Sequence, residues 1–151
     1  MIRIENILCL VDFSEDSSHA LTYARTIAEL CQTTLYVMHV ISNATSSIYG
    51  ETKGDYLAME LNAKEKTQQK MASYDSILRD YSNHQLITKV GEIVPSVLET
   101  VQSKNVGMVV IGTHGHGGLR HLLLGSNADK ILHSVECPVT VIRHPSRRPS
   151  A

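Results

Sequence analysis

Apolar residues follow two alternating rhythms along the chain. Residues 7–11 (ILCLV) form an unbroken apolar run ending at Asp12, the pattern of a strand buried on both faces, as in a parallel sheet. Ser14 then reads as a helix N-cap with Glu15 and Asp16 in the first turn, where negative charge suits the helix dipole. Ala20, Ala24, Ile27, Ala28 and Cys31 follow at spacings of three and four and mark one helical face. Thr33–Ile41 (TTLYVMHVI) is β-branched and apolar and predicts the second strand. A polar stretch at 42–54 predicts a loop, long enough to suggest function or mobility.

Residues 55–81 have helix-forming composition. Leu57, Leu61, Met71, Tyr74, Leu78 and Tyr81 lie near one face, and the polar AKEKTQQK in the middle predicts a largely exposed helix. Gln85–Val90 predicts a third strand that stops at Gly91. Pro95, Val94, Val97, Leu98 and Val101 predict a helix with proline in its first turn. Met108–Ile111 is the fourth strand, Ser126–His133 a helix, and Val139–Arg143 a fifth strand behind Pro138.

Five strands therefore alternate with four helical segments without an internal repeat or linker, which predicts a doubly wound α/β sheet. One domain over 1–145 with a flexible basic tail at 146–151 is the expected organisation. Ligands of such sheets bind outside the carboxyl ends of the strands, where the winding reverses. Asp12, the Val40-Ile41 pair and the Gly112–Gly118 loop all stand at strand ends. They border one crevice if the first and fourth strands are neighbours.

Composition narrows the partners. At 42% apolar residues, the 151-residue chain can build a core without metal or disulfide staples. A net charge of -1 leaves no electrostatic footprint for nucleic acid or an acidic membrane surface. Cys9, Cys31 and Cys137 are odd in number and widely separated, and Cys9 and Cys137 sit in apolar runs, as buried reduced thiols do. Met1–Glu5 leads into a short β-type run rather than a signal-peptide core, and no apolar run approaches the ~18 residues of a membrane helix. The expectation is a cytoplasmic protein.

The chemistry concentrates in GMVVIGTHGHGGLRHLLLGSNADKIL, residues 107–132. A strand that empties into glycines and then into a helix start presents backbone N–H donors of the kind that hold phosphate. Known cradles differ from it in definite ways. A P-loop needs Lys-Ser or Lys-Thr after its last glycine, whereas Gly118 and Ser126-Asn127 stand in those places. A dinucleotide fingerprint belongs after the first strand, and no glycine is present there. A phosphate-accepting receiver needs an acid at the end of the third strand, where this chain has Val90-Gly91.

What does match is Gly112-x2-Gly115-x9-Gly125-Ser126, which resembles the ATP-binding motif of the universal stress protein family. The resemblance covers nearly the whole chain, through ILCLVDFSEDSSHAL, LYVMHVI, VVIGTHGHGGLRHLLLGS and CPVTVIR in order. It implies a five-stranded parallel sheet of order 3-2-1-4-5 with helices on both faces, of the adenine nucleotide alpha hydrolase-like class. It also implies a homodimer through the last strand, Val139–Arg143, a role in the stress response, and ATP as ligand, with Mg²⁺ accompanying it. By position, Asp12 would meet the ribose with Val11 beside it, and Val40 would offer its backbone to adenine. Ile111, Gly112 and Gly115 would lie against ribose and phosphates. Gly125, Ser126 and the Asn127 amide would hold the phosphates, with His116 and Arg120 as further phosphate contacts.

The residue types suit those roles. Glycines at 112, 115 and 125 remove Cβ atoms where a nucleotide must approach the backbone closely and allow positive φ. Two departures stand out: Asn127 where the ATP-binding branch commonly has a small apolar residue, and Val11 where a hydroxyl residue could add a polar contact. Other readings of the same residues compete. Ser126-x-x-Asp129 has capping-box-like spacing, so Ser126 is also expected to cap its helix. His114, His116 and His121 suggest a metal site only superficially, because no cysteine or carboxylate completes the shell nearby in sequence. His39, inside an apolar strand, is expected to be a hydrogen-bonded core histidine.

No nucleophile elbow or paired carboxylates point to catalysis. The leading expectation is an ATP-binding regulatory or sensor protein read by a protein partner. The alternatives are a slow Mg²⁺-dependent ATPase and a nucleotide-free interaction module.

Overall fold

The computed structural model describes residues 4–42, 53–115 and 124–145. In chain order they form β1 (Asn6–Leu10), α1 (Glu15–Cys31), β2 (Thr34–Ser42) and α2 (Lys53–Met71). A 3-10 turn (Ala72–Tyr74), α3 (Asp75–Leu78), β3 (His84–Gly91), α4 (Ile93–Ser103), β4 (Met108–Gly112), α5 (Ser126–Ser134) and β5 (Val139–Ile142) follow. The strands make one sheet of order β3-β2-β1-β4-β5, and every neighbouring pair is parallel.

The unbroken apolar runs are explained by two cores, one on each face. Along β1, Ile7 and Cys9 point to the first face and Leu8 and Leu10 to the second, the period-two alternation of a strand. The first face is covered by Ala20, Leu21, Ala24 and Ala28 of α1 together with Met71, Tyr74 and Leu78. The second is covered by Val97 of α4 and by Ala128 and Ile131 of α5. Small alanines along α1 let the helix lie close to the central strands β1 and β4.

Several expectations are corrected by burial. Cys31 is exposed, because it falls at the last turn of α1 beyond the sheet. Leu57 and Leu61 are exposed as well. Among the described side chains of α2, burial begins only at Thr67, so the helix reaches the core with its C-terminal part alone. Cys9 is buried, as expected, and Cys137 is half-buried. The predicted loop at 42–54 falls largely outside the described residues, as does the tail from 146 onward. No helix among the described residues is long and apolar enough to cross a membrane.

Candidate functional site

β1 and β4 are hydrogen-bonded neighbours at the centre of the sheet. The chain leaves β1 toward α1 on the first face and leaves β4 toward α5 on the second, so the two exits diverge and open a crevice at their carboxyl ends. Asp12 lies on one side of this crevice and Gly112–Gly115 on the other.

The turn after β1 is tightly determined. Ser14 caps α1, its Oγ accepting the Ser17 N–H at 3.2 Å. The Ser14 amide (3.1 Å) and hydroxyl both donate to Asp12 Oδ1, which orients the carboxylate. Phe13, between them, has φ 65°, the left-handed region that side chains other than glycine seldom adopt. Tertiary contacts hold it there. The Phe13 N–H donates to Tyr74 Oη at 3.1 Å, and the Phe13 ring lies 4.5 Å from His39 and 5.8 Å from Tyr74 between ring centroids. Burial pushes the Tyr74 hydroxyl pKa up, against hydrogen bonds from Ser17 and Phe13 that lower it, so the phenol stays neutral as an acceptor. His39 Nδ1 lies 2.8 Å from the Val11 carbonyl, an acceptor only, so Nδ1 carries the proton. His39 is thus hydrogen-bonded and half-buried, supporting the turn from beneath.

The second side is built against the first. A Cβ on Gly112 would stand 3.0 Å from the backbone carbon and oxygen of Asp16, so this glycine lets β4 approach α1 itself. Beyond it, the Thr113 hydroxyl donates to Asp16 Oδ2 at 2.9 Å and the His114 N–H to the same oxygen at 3.2 Å. A Cβ on Gly115 would fall inside van der Waals contact with Asp12 Oδ2 and 3.4 Å from its Cγ. The Gly125 N–H donates to the Thr113 carbonyl at 2.7 Å, and a Gly125 Cβ would meet that oxygen at 3.2 Å and His114 Cα at 3.6 Å. Gly112 and Gly125 therefore let α1, the loop after β4 and the start of α5 pack backbone against backbone, while Gly115 leaves room for the Asp12 carboxylate. None of the three has positive φ; only Gly91 does among the described glycines. The positive φ that glycine allows is not used at 112, 115 and 125, and the close approach expected of a nucleotide is made at these positions by neighbouring protein atoms.

Gly125, not Ser126, is the N-cap of α5, and its conformation (φ -69°, ψ 152°) carries no side-chain cap bond. Ser126 is already helical because the Gly125 carbonyl accepts the Asp129 N–H at 2.9 Å, which corrects the capping expectation. Ser126 and Asn127 are exposed in that first turn, where helix N–H groups lack intrahelical partners.

The structure thus brings Asp12, Gly112, Gly115, Gly125, Ser126 and Asn127 into one contiguous surface. The Val11 and Ile111 side chains belong to the two cores, at 4% and 3% exposure, so backbone is what these residues can present. Val40 is half-buried near the carboxyl end of β2, paired with Lys89. His116, Arg120 and His121 lie outside the described residues. His114 is close to Asp16, its Nδ1 3.7 Å from Oδ2, and no cluster of three metal-type side chains occurs among the described residues. The sequence pattern gave Asp16 only a helix-dipole role, set Tyr74 only on an apolar helix face, and did not single out Thr113 or Phe13. Only an acid in the first turn of α1 and a hydroxyl directly after Gly112 hinted at the Asp16–Thr113 pair, and their separation in sequence hid the contact.

A family model described as the universal stress protein family matches residues 3–143. The chain belongs to the universal stress protein family. Universal stress protein YxiE of Bacillus subtilis is 30% identical over 154 residues, an alignment covering 91% of this chain and 97% of the relative. Among solved structures, MJ0577 shares the fold at TM-score 0.84 and 22% identity, covering 99% of this chain and 100% of its own. A universal stress protein from Archaeoglobus fulgidus in complex with dAMP superposes at TM-score 0.63 and 20% identity, covering 94% and 99%. This universal stress protein therefore has the five-stranded 3-2-1-4-5 fold that the sequence resemblance implied.

Proposed function

We propose that the crevice binds an adenine nucleotide, ATP in the first instance, and that this universal stress protein acts as a regulatory or sensor protein whose nucleotide state a protein partner reads. One observation carries the reading: contacts at Gly115 and Gly125 join the oriented Asp12 carboxylate and the exposed start of α5 in a single surface. A carboxylate fixed by Ser14 is an acceptor suited to ribose hydroxyls. A helix start with a side-chain-free cap, exposed Ser126 and Asn127, and first-turn amides that have no intrahelical acceptor suits phosphates. The Archaeoglobus fulgidus relative in complex with dAMP supports the class of ligand.

In this reading Val40 offers backbone to adenine with Val11 beside it, and Asp12 holds the ribose. Ile111, Gly112 and Gly115 line the wall between base and phosphates. Gly125, Ser126 and the Asn127 amide hold the phosphates, with His116 and Arg120 as further donors. Mg²⁺ would offset phosphate charge. The motif supplies no Walker lysine, so the arrangement favours holding phosphates over transferring them. β5 is an edge strand with half-buried valines among the described residues, which supports a homodimer paired through Val139–Arg143, and the proposed location is the cytoplasm.

Purified protein, once denatured and resolved chromatographically, is expected to release adenine nucleotide, and emptied protein to bind ATP in calorimetry with a Kd on the order of micromolar, about -8 kcal/mol. Protein that carries no nucleotide and gives no ATP response rules the reading out. The same preparation is expected to sediment as a dimer, and a monomer would remove the β5 pairing.

A further inference from the structure

We propose that Asp16 is a positioning residue for the phosphate end of the crevice. It latches the loop after β4 onto α1 and thereby sets where the glycine cap of α5 stands. The inference rests on the nucleotide reading above and assigns a residue that the glycine motif does not contain.

An acid in the first turn of a helix needs only solvent exposure to favour the dipole. Asp16 instead is 1% exposed and turned toward the end of β4. Burying a carboxylate is costly unless hydrogen-bond donors surround it. Here Oδ2 receives the Thr113 hydroxyl at 2.9 Å and the His114 N–H at 3.2 Å, both from the loop on the far side of the crevice. The bare Cα of Gly112 makes this reach short, since a side chain there would meet the Asp16 backbone at 3.0 Å.

Thr113 transmits the position onward. Its N–H donates to the Ile142 carbonyl of β5 at 3.0 Å, its hydroxyl to Asp16, and its carbonyl accepts the Gly125 N–H at 2.7 Å. Three directions are fixed at one residue, so Gly125 cannot shift without Thr113 shifting. The opposite end is held mainly from its own side: Asp12 is oriented by Ser14 and by the turn at Phe13, and Ser14 Oγ reaches the loop only through a long 3.5 Å contact to the His114 carbonyl. Loss of the Asp16–Thr113 bond should therefore displace the phosphate-facing helix start and leave the ribose-facing carboxylate in place. A merely structural role predicts no such division.

Calorimetry on the full chain with ATP and, separately, with adenosine tests this in wild type, Thr113→Val, Thr113→Ser and Asp16→Asn. Thr113→Val keeps the shape and removes the hydroxyl. It is expected to weaken ATP about tenfold, a loss in the range of one hydrogen bond to a charged group, and to change adenosine less than about twofold. Thr113→Ser should restore ATP affinity, and Asp16→Asn should fall between. Unchanged ATP affinity in both Thr113→Val and Asp16→Asn overturns the proposal, as does an equal loss for ATP and adenosine. Amide exchange at Gly125 gives a readout independent of ligand. It should accelerate about tenfold in Thr113→Val if the latch exists and stay at the wild-type rate if it does not. A wild-type chain that binds neither ligand thus removes the nucleotide reading while exchange still decides the latch.

Discussion

Gly115→Ala tests the geometry of the crevice directly. The new Cβ would overlap Asp12 Oδ2 and stand 3.4 Å from Asp12 Cγ, so the carboxylate must turn until its oxygen reaches ordinary separation, a movement of about 1 Å. Turning it pulls Oδ1 away from the Ser14 amide at 3.1 Å and from the Ser14 hydroxyl. Hydrogen bonds to a charged group are worth about 1.5–3 kcal/mol each, but Asp12 is half-exposed and water replaces part of the loss. A net cost of about 1–2 kcal/mol is expected, which in a domain of this size lowers Tm by roughly 2–8 °C. Adenosine affinity should fall with it, because the acceptor proposed for the ribose has moved. The decisive assay is a double-mutant cycle with Asp12→Ala, followed by urea unfolding. With the carboxylate gone, the added methyl group should cost almost nothing, giving an interaction energy of about 1 kcal/mol or more. If Gly115→Ala costs as much in the Asp12→Ala background as in wild type, the clash lies in the backbone and the reasoning fails.

Two other expectations follow from burial. Gly112→Ala places a methyl group 3.0 Å from the Asp16 backbone, which cannot swing aside, so it should destabilise by about 1–3 kcal/mol, and wild-type stability in urea would refute the close approach. Burial pushes the Cys9 thiol pKa far up and raises Cys137 less, while Cys31 is exposed. A native-state alkylation time course should therefore label Cys31 first and Cys9 only on unfolding. The folded state keeps the Cys9 proton that the unfolded chain releases above about pH 8.5, so this contribution is complete below that pH and is lost progressively as pH climbs from there toward the raised folded value. Urea midpoints that stay flat from pH 8 to 10 in wild type and in Cys9→Ala alike would contradict that sign.

Local pattern was enough for most of the architecture. The runs at 7–11 and 33–41 read as buried strands because every side chain in them must find apolar surroundings on one face or the other. Ser14 read as a cap because its hydroxyl acts three residues away. The glycines at 112, 115 and 125 were visible as a motif, since they act at fixed spacing in one segment. Their physical purpose was not visible. Whether a glycine serves a turn, a ligand or a neighbouring backbone depends on what lies against it, and that neighbour is Asp16, Asp12 or Thr113. Leu57, Leu61 and Cys31 were misplaced for a related reason: periodicity gives the apolar face of a helix but not how far along it the sheet extends.

By itself, then, the sequence determined the alternation of strands and helices, the cap of α1 and the identity of the crevice-forming segments, all properties carried by residues a few positions apart. Only the tertiary structure decided that α5 starts from a glycine cap and that Phe13 is held left-handed by Tyr74. It alone turned Asp16 from a dipole residue into the partner of Thr113. Each of these depends on a contact between residues roughly ten to a hundred positions apart, and such contacts exist only once the sheet order has brought the segments together.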